Sequence, residues 1–165
     1  MKLIPELVPQ TAWYSNLRKM LKPADWDILR RRQYSLANNV CEICGDSGKN
    51  QGYRYSLECH EIWNYDDVNT LPRETFGDNT HAQTLVGLIG LCPRCHQVIH
   101  FGLTQAIGKE DIAIQHMRHV NGCTKDEAYE IVRDAFELWQ KRSRVQWHTD
   151  ISWLDSQGII LSGKM

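Results

Sequence analysis

The sequence predicts an α+β fold: a small core of two strands and a helix, pinned by four cysteines and flanked by helices at both ends. Three observations carry that expectation. Two Cys-x2-Cys pairs, Cys41/Cys44 and Cys92/Cys95, enclose 47 residues. Between them apolar and polar residues alternate with the period of a strand. Outside them apolar residues recur at helical spacing. The expected division is 1–40 as an N-terminal helical extension, 41–102 as the core, and 103–165 as a C-terminal helical region packed on it.

Residues 1–40 read as two short helices. Trp13, Leu17, Met20 and Leu21 recur at helical spacing, and Pro23 suits the first turn of a second helix. Trp26, Leu29 and Ala37, with Ile28 and Tyr34 beside them, make its apolar face, and Asn38-Asn39 ends it. Cys41-Glu42-Ile43-Cys44-Gly45 is a metal knuckle, and residues 46–52 are a turn. Tyr53, Tyr55 and Leu57 alternate with Arg54, Ser56 and Glu58, so a strand is expected there, running into Cys59-His60-Glu61-Ile62-Trp63. A polar loop is expected from about Asn64 to Asn79. A second strand with a turn should cover Leu85 to Leu91, and a short helix Pro93 to about Phe101.

Residues 109–120 place Ile112, Ala113, Met117 and Val120 on one helix face and stop at Asn121-Gly122. Thr124-Lys125-Asp126-Glu127 is a capping box. It opens a helix with Ala128, Ile131, Val132, Ala135, Leu138 and Trp139 inward, ending near Arg142. The tail, with Trp147, Trp153, Ile159 and Ile160, is expected to fold back on the body. The tryptophans at 13, 26, 139, 147 and 153 are expected in the core. His116 and His119 should lie on the surface or between helices, and Cys123 should be a lone packed thiol. No internal repeat or low-complexity tract occurs.

Hydrophobic residues are 42% of the chain, enough for a core, and a net charge of −1 creates no global field for a polyanion. The charge is unevenly spread. Residues 1–40 carry seven Lys/Arg against three acids (+4), and residues 41–100 carry four against eight (−4). Arg30, Arg31 and Arg32 belong to the basic surplus and are a candidate phosphate-contacting strip; the same run also reads as a solvated helix face. No apolar run approaches the ~20 residues that span a bilayer, and Met1 to Glu6 lacks the apolar stretch of a signal peptide. A cytoplasmic, reducing location is expected, where six Cys read as metal ligands rather than disulfides.

Four thiolates suit Zn2+ and fill its tetrahedral shell, so Cys41, Cys44, Cys92 and Cys95 are expected to form a structural site. His96 and His100 are four apart and stack on one helix face, a pair of nitrogens for a second ion. His60 directly follows a strand pattern and lies between the knuckles.

The order Cys-x2-Cys, strand-His60, polar loop, strand, Cys-x2-Cys-His96-x3-His100 resembles the HNH nuclease superfamily, with its ββα-metal fold, in the zinc-clipped four-Cys branch. The resemblance spans about residues 41–101. Leu57-Glu58-Cys59-His60-Glu61-Ile62-Trp63, Ile99-His100-Phe101-Gly102 and Val120-Asn121-Gly122 are also similar to segments of uncharacterised bacterial and phage HNH-like proteins. It implies His60 as the general base that takes a proton from water, and His96 and His100 as the metal pair. The ion would meet the scissile phosphate and the leaving 3′ oxygen, in metal-dependent hydrolysis of nucleic acid, DNA first.

Two positions depart from that family's pattern. Cys59 stands where Asp or His is usual, and Gly87 stands where the Asn is. Cys59, His96 and His100 could hold the second ion with one position open; with His60 added they could close around it. Glu58 or Glu61 could supply a carboxylate ligand instead, and Asn79 or His81 could stand in for the Asn. The second ion would be Zn2+, Mg2+, Mn2+ or Ni2+, a thiolate favouring zinc. Two functions follow: an HNH-type endonuclease, or a catalytically reduced zinc-binding module on the same scaffold. The module would bind nucleic acid or a host protein, as a phage or prophage modulator would. Neither needs a membrane. The basic N-terminal helices could contact nucleic acid or a second subunit, and Trp63 could stack on a base or cap the site loop.

Overall fold

The computed structural model describes residues 2–65 and 81–158. Its elements, in chain order, are α1 Leu17–Met20, α2 Pro23–Leu36, β1 Glu58–Tyr65, β2 His81–Leu91, α3 Pro93–Ile99, α4 Phe101–Ala106, α5 Glu110–Asn121, α6 Lys125–Arg142 and β3 Trp147–Asp150. The α+β class is observed. β1 and β2 pair antiparallel, from Glu58 opposite Leu91 to Tyr65 opposite Gln83. β3 adds in parallel to the other edge of β2. The expected loop from Asn64 and the tail at Ile159 and Ile160 fall largely outside the described residues, as does Asn79.

Local chemistry explains most element ends. Pro23 occupies the first turn of α2. Asn38 and Asn39 both take left-handed backbone (φ 52° and 58°), which turns the chain off the helix into the first knuckle. Thr124 and Glu127 form the capping box of α6 on both sides. Gly122 caps α5 at φ 64°.

Several expectations are corrected. β1 begins at Glu58, not at Tyr53. The backbone of residues 48–56 instead bonds within the knuckle loop, Tyr53 N–H to Gly48 O and Gly48 N–H to Ser56 O at 2.8 and 2.7 Å. The helix from Pro93 breaks at His100, and a further helix, α4, continues from Phe101. Trp147 lies in a strand. Trp13 is 58% exposed and does not belong to the core, because it follows a single 3-10 turn, Gln10–Ala12, instead of a helix.

Two apolar clusters lie against the sheet. The larger holds Leu57, Leu91, Val98, Phe101 and Met117, and takes in Leu3, Ala37, Ala128 and Val132 from the flanks. The smaller joins Leu17, Leu21, Leu29, Leu85, Ile151 and Leu154, with Trp26, Trp63 and Trp153 packed on it. Residues 3–8 form an extended strap tied to three helices. Asn121 grips Leu3 through both its amide oxygen and its amide nitrogen, each at 2.8 Å. Glu6 N–H bonds Ile99 O at 2.9 Å, and Trp139 Nε1–H bonds Val8 O at 2.9 Å. Among the described residues no helix is long and apolar enough to cross a membrane.

Candidate metal centres

Cys41, Cys44, Cys92 and Cys95 come together with their sulfurs within 4.8 Å of one another. The first pair sits in a tight turn in which Gly45 N–H bonds Cys41 O and Cys41 N–H bonds Asp46 O, both at 2.8 Å. The second pair opens α3: Cys92 is its N-cap, accepting from Cys95 N–H at 3.4 Å, with Pro93 in the first turn. Glu42 locks the first knuckle to β2, its N–H to Gly90 O and its carboxylate receiving Gly90 N–H. The thiols titrate as one set: hydrogen bonds between neighbouring thiols draw Cys41 and Cys92 down and push Cys44 and Cys95 up. Four soft donors at this spacing can hold a metal ion such as zinc. His116 Nε2 lies 3.2 Å from Cys95 Sγ, so an imidazole of α5 meets this set.

His60, His96 and His100 form a second group, again with one donor atom each within 4.8 Å. The ring centroids are 5.5, 5.0 and 4.4 Å apart for the pairs 60–96, 60–100 and 96–100. His96 and His100 come from one turn of α3 and its C-cap, and His60 from the face of β1 that looks onto that helix. Two of the three rings meet a carboxylate. His96 Nδ1 lies against Glu58 Oε2, and Tyr55 donates its hydroxyl to the other oxygen of Glu58 at 2.6 Å. Glu6, carried by the strap, has Oε2 at 3.5 Å from His60 Nε2. A ring that gives one N–H to a carboxylate keeps a lone pair on its other nitrogen, the tautomer a metal ligand needs.

The electrostatics agree. Burial, and then the neighbouring imidazoles, push His100 down to about 3, so it is neutral and able to donate a lone pair at physiological pH. Burial works against the charge of Glu58, but the His96 and Tyr55 hydrogen bonds outweigh it and lower its pKa.

Cys59 is not among the residues that converge with His60, His96 and His100. Adjacent strand residues face opposite sides. Glu58 and His60 look onto α3, whereas Cys59 looks onto α2, beside Tyr34, with Arg30, and Glu42 of the first knuckle, close enough to act on its charge. Burial, then Glu61 and Glu42, push its thiol up to about 12, so it stays protonated. Glu61 shares that side and is not a ligand either. It accepts Leu17 N–H and Trp63 Nε1–H, both at 2.9 Å, and burial raises its pKa.

No protein-family model, curated protein or solved structure matches the chain.

Arg30, Arg31 and Arg32 are not gathered into one strip, because successive helix residues point about 100° apart. Arg30 bonds Asp27 at 2.7 Å, Arg31 is 73% exposed at the edge of the same carboxylate, and Arg32 bonds Gln157 O at 2.7 Å. Gly87 pairs with Ile62 in the sheet. His81 packs on Trp147 at the other end of β2, with centroids 5.6 Å apart. Sequence reasoning missed Glu6 and His116 as partners of the metal-ligating side chains. His116 follows the buried Ala113 by three, so helical periodicity could have turned it inward; nothing local to Glu6 signals its place.

Proposed function

We propose that the chain is a metal-dependent phosphodiesterase of the HNH kind acting on nucleic acid, with DNA the first substrate to test. Zn2+ fills the four-Cys site as a structural ion. A second divalent ion, Zn2+, Mg2+, Mn2+ or Ni2+, is held by His60, His96 and His100. The supporting observation is the number of donors: three converging histidines, two of them backed by carboxylates, leave a coordination position for substrate or water. When bound there, a divalent ion supplies Lewis acidity to the phosphoryl oxygen and to water.

The protein's own groups do the rest. Glu58 and Glu6 hold the rings of His96 and His60 in one orientation. His60 becomes the third ligand in this reading, and the base role passes to Glu6, which is half exposed at the site. Its carboxylate takes the proton as the oxygen of water bonds to phosphorus. The P–O3′ bond then breaks, and the leaving oxygen is protonated from solvent.

The expected outcome is nicking of plasmid DNA in Mn2+, Mg2+ or Ni2+. His96→Ala should lose both the second ion and the activity while retaining the four-Cys ion. Undiminished cleavage by His96→Ala would overturn the assignment. One feature favours the module alternative: Glu6 Oε2 lies 3.5 Å from His60 Nε2, and a fourth protein donor would close the shell. X-ray absorption on the loaded protein separates the two, since four protein donors on the second ion would indicate the binding module.

A further inference from the structure

His116 stands outside the four cysteines and yet touches them. It lies on α5, which packs along α3, and its Nε2 is 3.2 Å from Cys95 Sγ. Ala113, three residues before it, and Val120, four after, pack into the cluster that contains Cys41, Cys92 and Cys95. The face of α5 that carries His116 is therefore the one applied to the knuckles.

A ring so placed has two possible roles. It is a ligand that replaces a sulfur, or it is a hydrogen-bond donor to a sulfur that the metal already holds. The geometry favours the donor. Among the described residues the sulfurs that converge within 4.8 Å are those of the four cysteines, and His116 is not in that group. Four thiolates already fill a tetrahedral shell. A metal-bound thiolate has no proton to give, so the hydrogen between Cys95 Sγ and His116 sits on Nε2. The demand for a donor is also plain. Four thiolates around a divalent ion leave a net negative charge, and Cys41, Cys92 and Cys95 are buried among apolar side chains, where such charge is costly unless hydrogen-bonded. Cys92 feels the same ring: the neighbouring thiols lower it first, and His116 adds to them.

We propose that His116 is a positioning residue of the four-Cys ion, donating Nε2–H to the Cys95 thiolate, and that this bond, rather than the bulk of the ring, strengthens metal binding there. It orients the sulfur and offsets part of its charge, as carboxylates do for ligating imidazoles. The inference rests on the four cysteines holding a metal ion. It needs neither the histidine group nor hydrolysis.

Two substitutions separate the hydrogen bond from packing. His116→Phe keeps a ring and loses the N–H. His116→Gln loses the ring and keeps an N–H at about the reach of Nε2. Co2+ loaded into the full chain reports through its sulfur-to-metal charge-transfer band, which ions on the three histidines do not produce. Chelator competition followed in that band should show His116→Phe binding about 10–100-fold more weakly than wild type, the usual share of an outer partner. His116→Gln should stay close to wild type, and its band should keep the wild-type position while that of His116→Phe moves. His116→Ala, which removes any crowding by the phenyl ring, should be as weak as His116→Phe. Wild-type affinity in His116→Phe or His116→Ala, or a His116→Gln variant as weak as either, would overturn the donor role. Ligand-field bands of three sulfurs and one nitrogen in the wild type would also overturn it, by making His116 a ligand. Absence of any charge-transfer band in the loaded wild type would sink the four-Cys site itself, and this inference with it.

Discussion

Glu58 does for His96 what Glu6 does for His60: each sets a carboxylate against a ring nitrogen. Such outer partners fix ring orientation and typically account for about 10–100-fold in metal affinity. Glu58→Gln should therefore weaken the second ion by that factor and leave the four-Cys ion in place. Equilibrium dialysis with metal analysis checks it, and unchanged affinity would mean His96 is oriented by packing alone. Cys59→Ala should keep both ions, because its thiol faces α2 and stays protonated. Loss of the second ion in that variant would return Cys59 to the ligand set. The alternation that predicts a strand through His60 also turns residues 59 and 60 to opposite faces. His96 and His100 posed no such problem, since helical spacing puts them on one face.

The elements that were legible carry their own signals. The knuckles have ligand types at fixed spacing, α2 has Pro23, and α5 and α6 have Gly122 and a capping box. The elements that were not legible are made by distant partners. β3 exists because β2 offers it an edge, and the strap is held by Asn121, Ile99 and Trp139 from three helices. The stretch from Tyr53 to Leu57 alternates like a strand, yet its backbone is claimed by the knuckle loop through Gly48. Gly48 is the hinge of that exchange. A Cβ there would sit 2.2 Å from Tyr55 O and 2.9 Å from Pro93 Cδ, against backbone and a rigid ring. Gly48→Ala should destabilise the fold by about 1–3 kcal/mol, as overpacking does. Urea denaturation of the zinc-loaded protein measures it, and a midpoint equal to wild type would show that the loop yields freely.

At the scale of the molecule, the four cysteines sit where the flanks and the centre share one core. Leu3 and Ala37, Leu57 and Leu91, and Met117 and Val132 come from all three parts of the chain and meet in one cluster that also contains Cys41, Cys92 and Cys95. A structural zinc contributes on the order of 10–16 kcal/mol to a small folded unit, and a whole domain is stable by only about 5–15 kcal/mol. Losing the four-Cys ion should therefore unfold the larger cluster. In the proposed second site the donors are imidazoles and one position is open, so its ion should leave first. Chelator titration followed by near-ultraviolet circular dichroism should show two stages: loss of the histidine-held ion with the signal intact, then loss of the four-Cys ion with the signal. Acid should shift the second stage to less chelator, because zinc needs thiolates and protons compete for them. Re-added zinc should restore the signal. If the fully metal-free protein keeps its native signal and melts within a few degrees of the loaded form, the four-Cys site is not what joins these segments, and apolar packing alone does so.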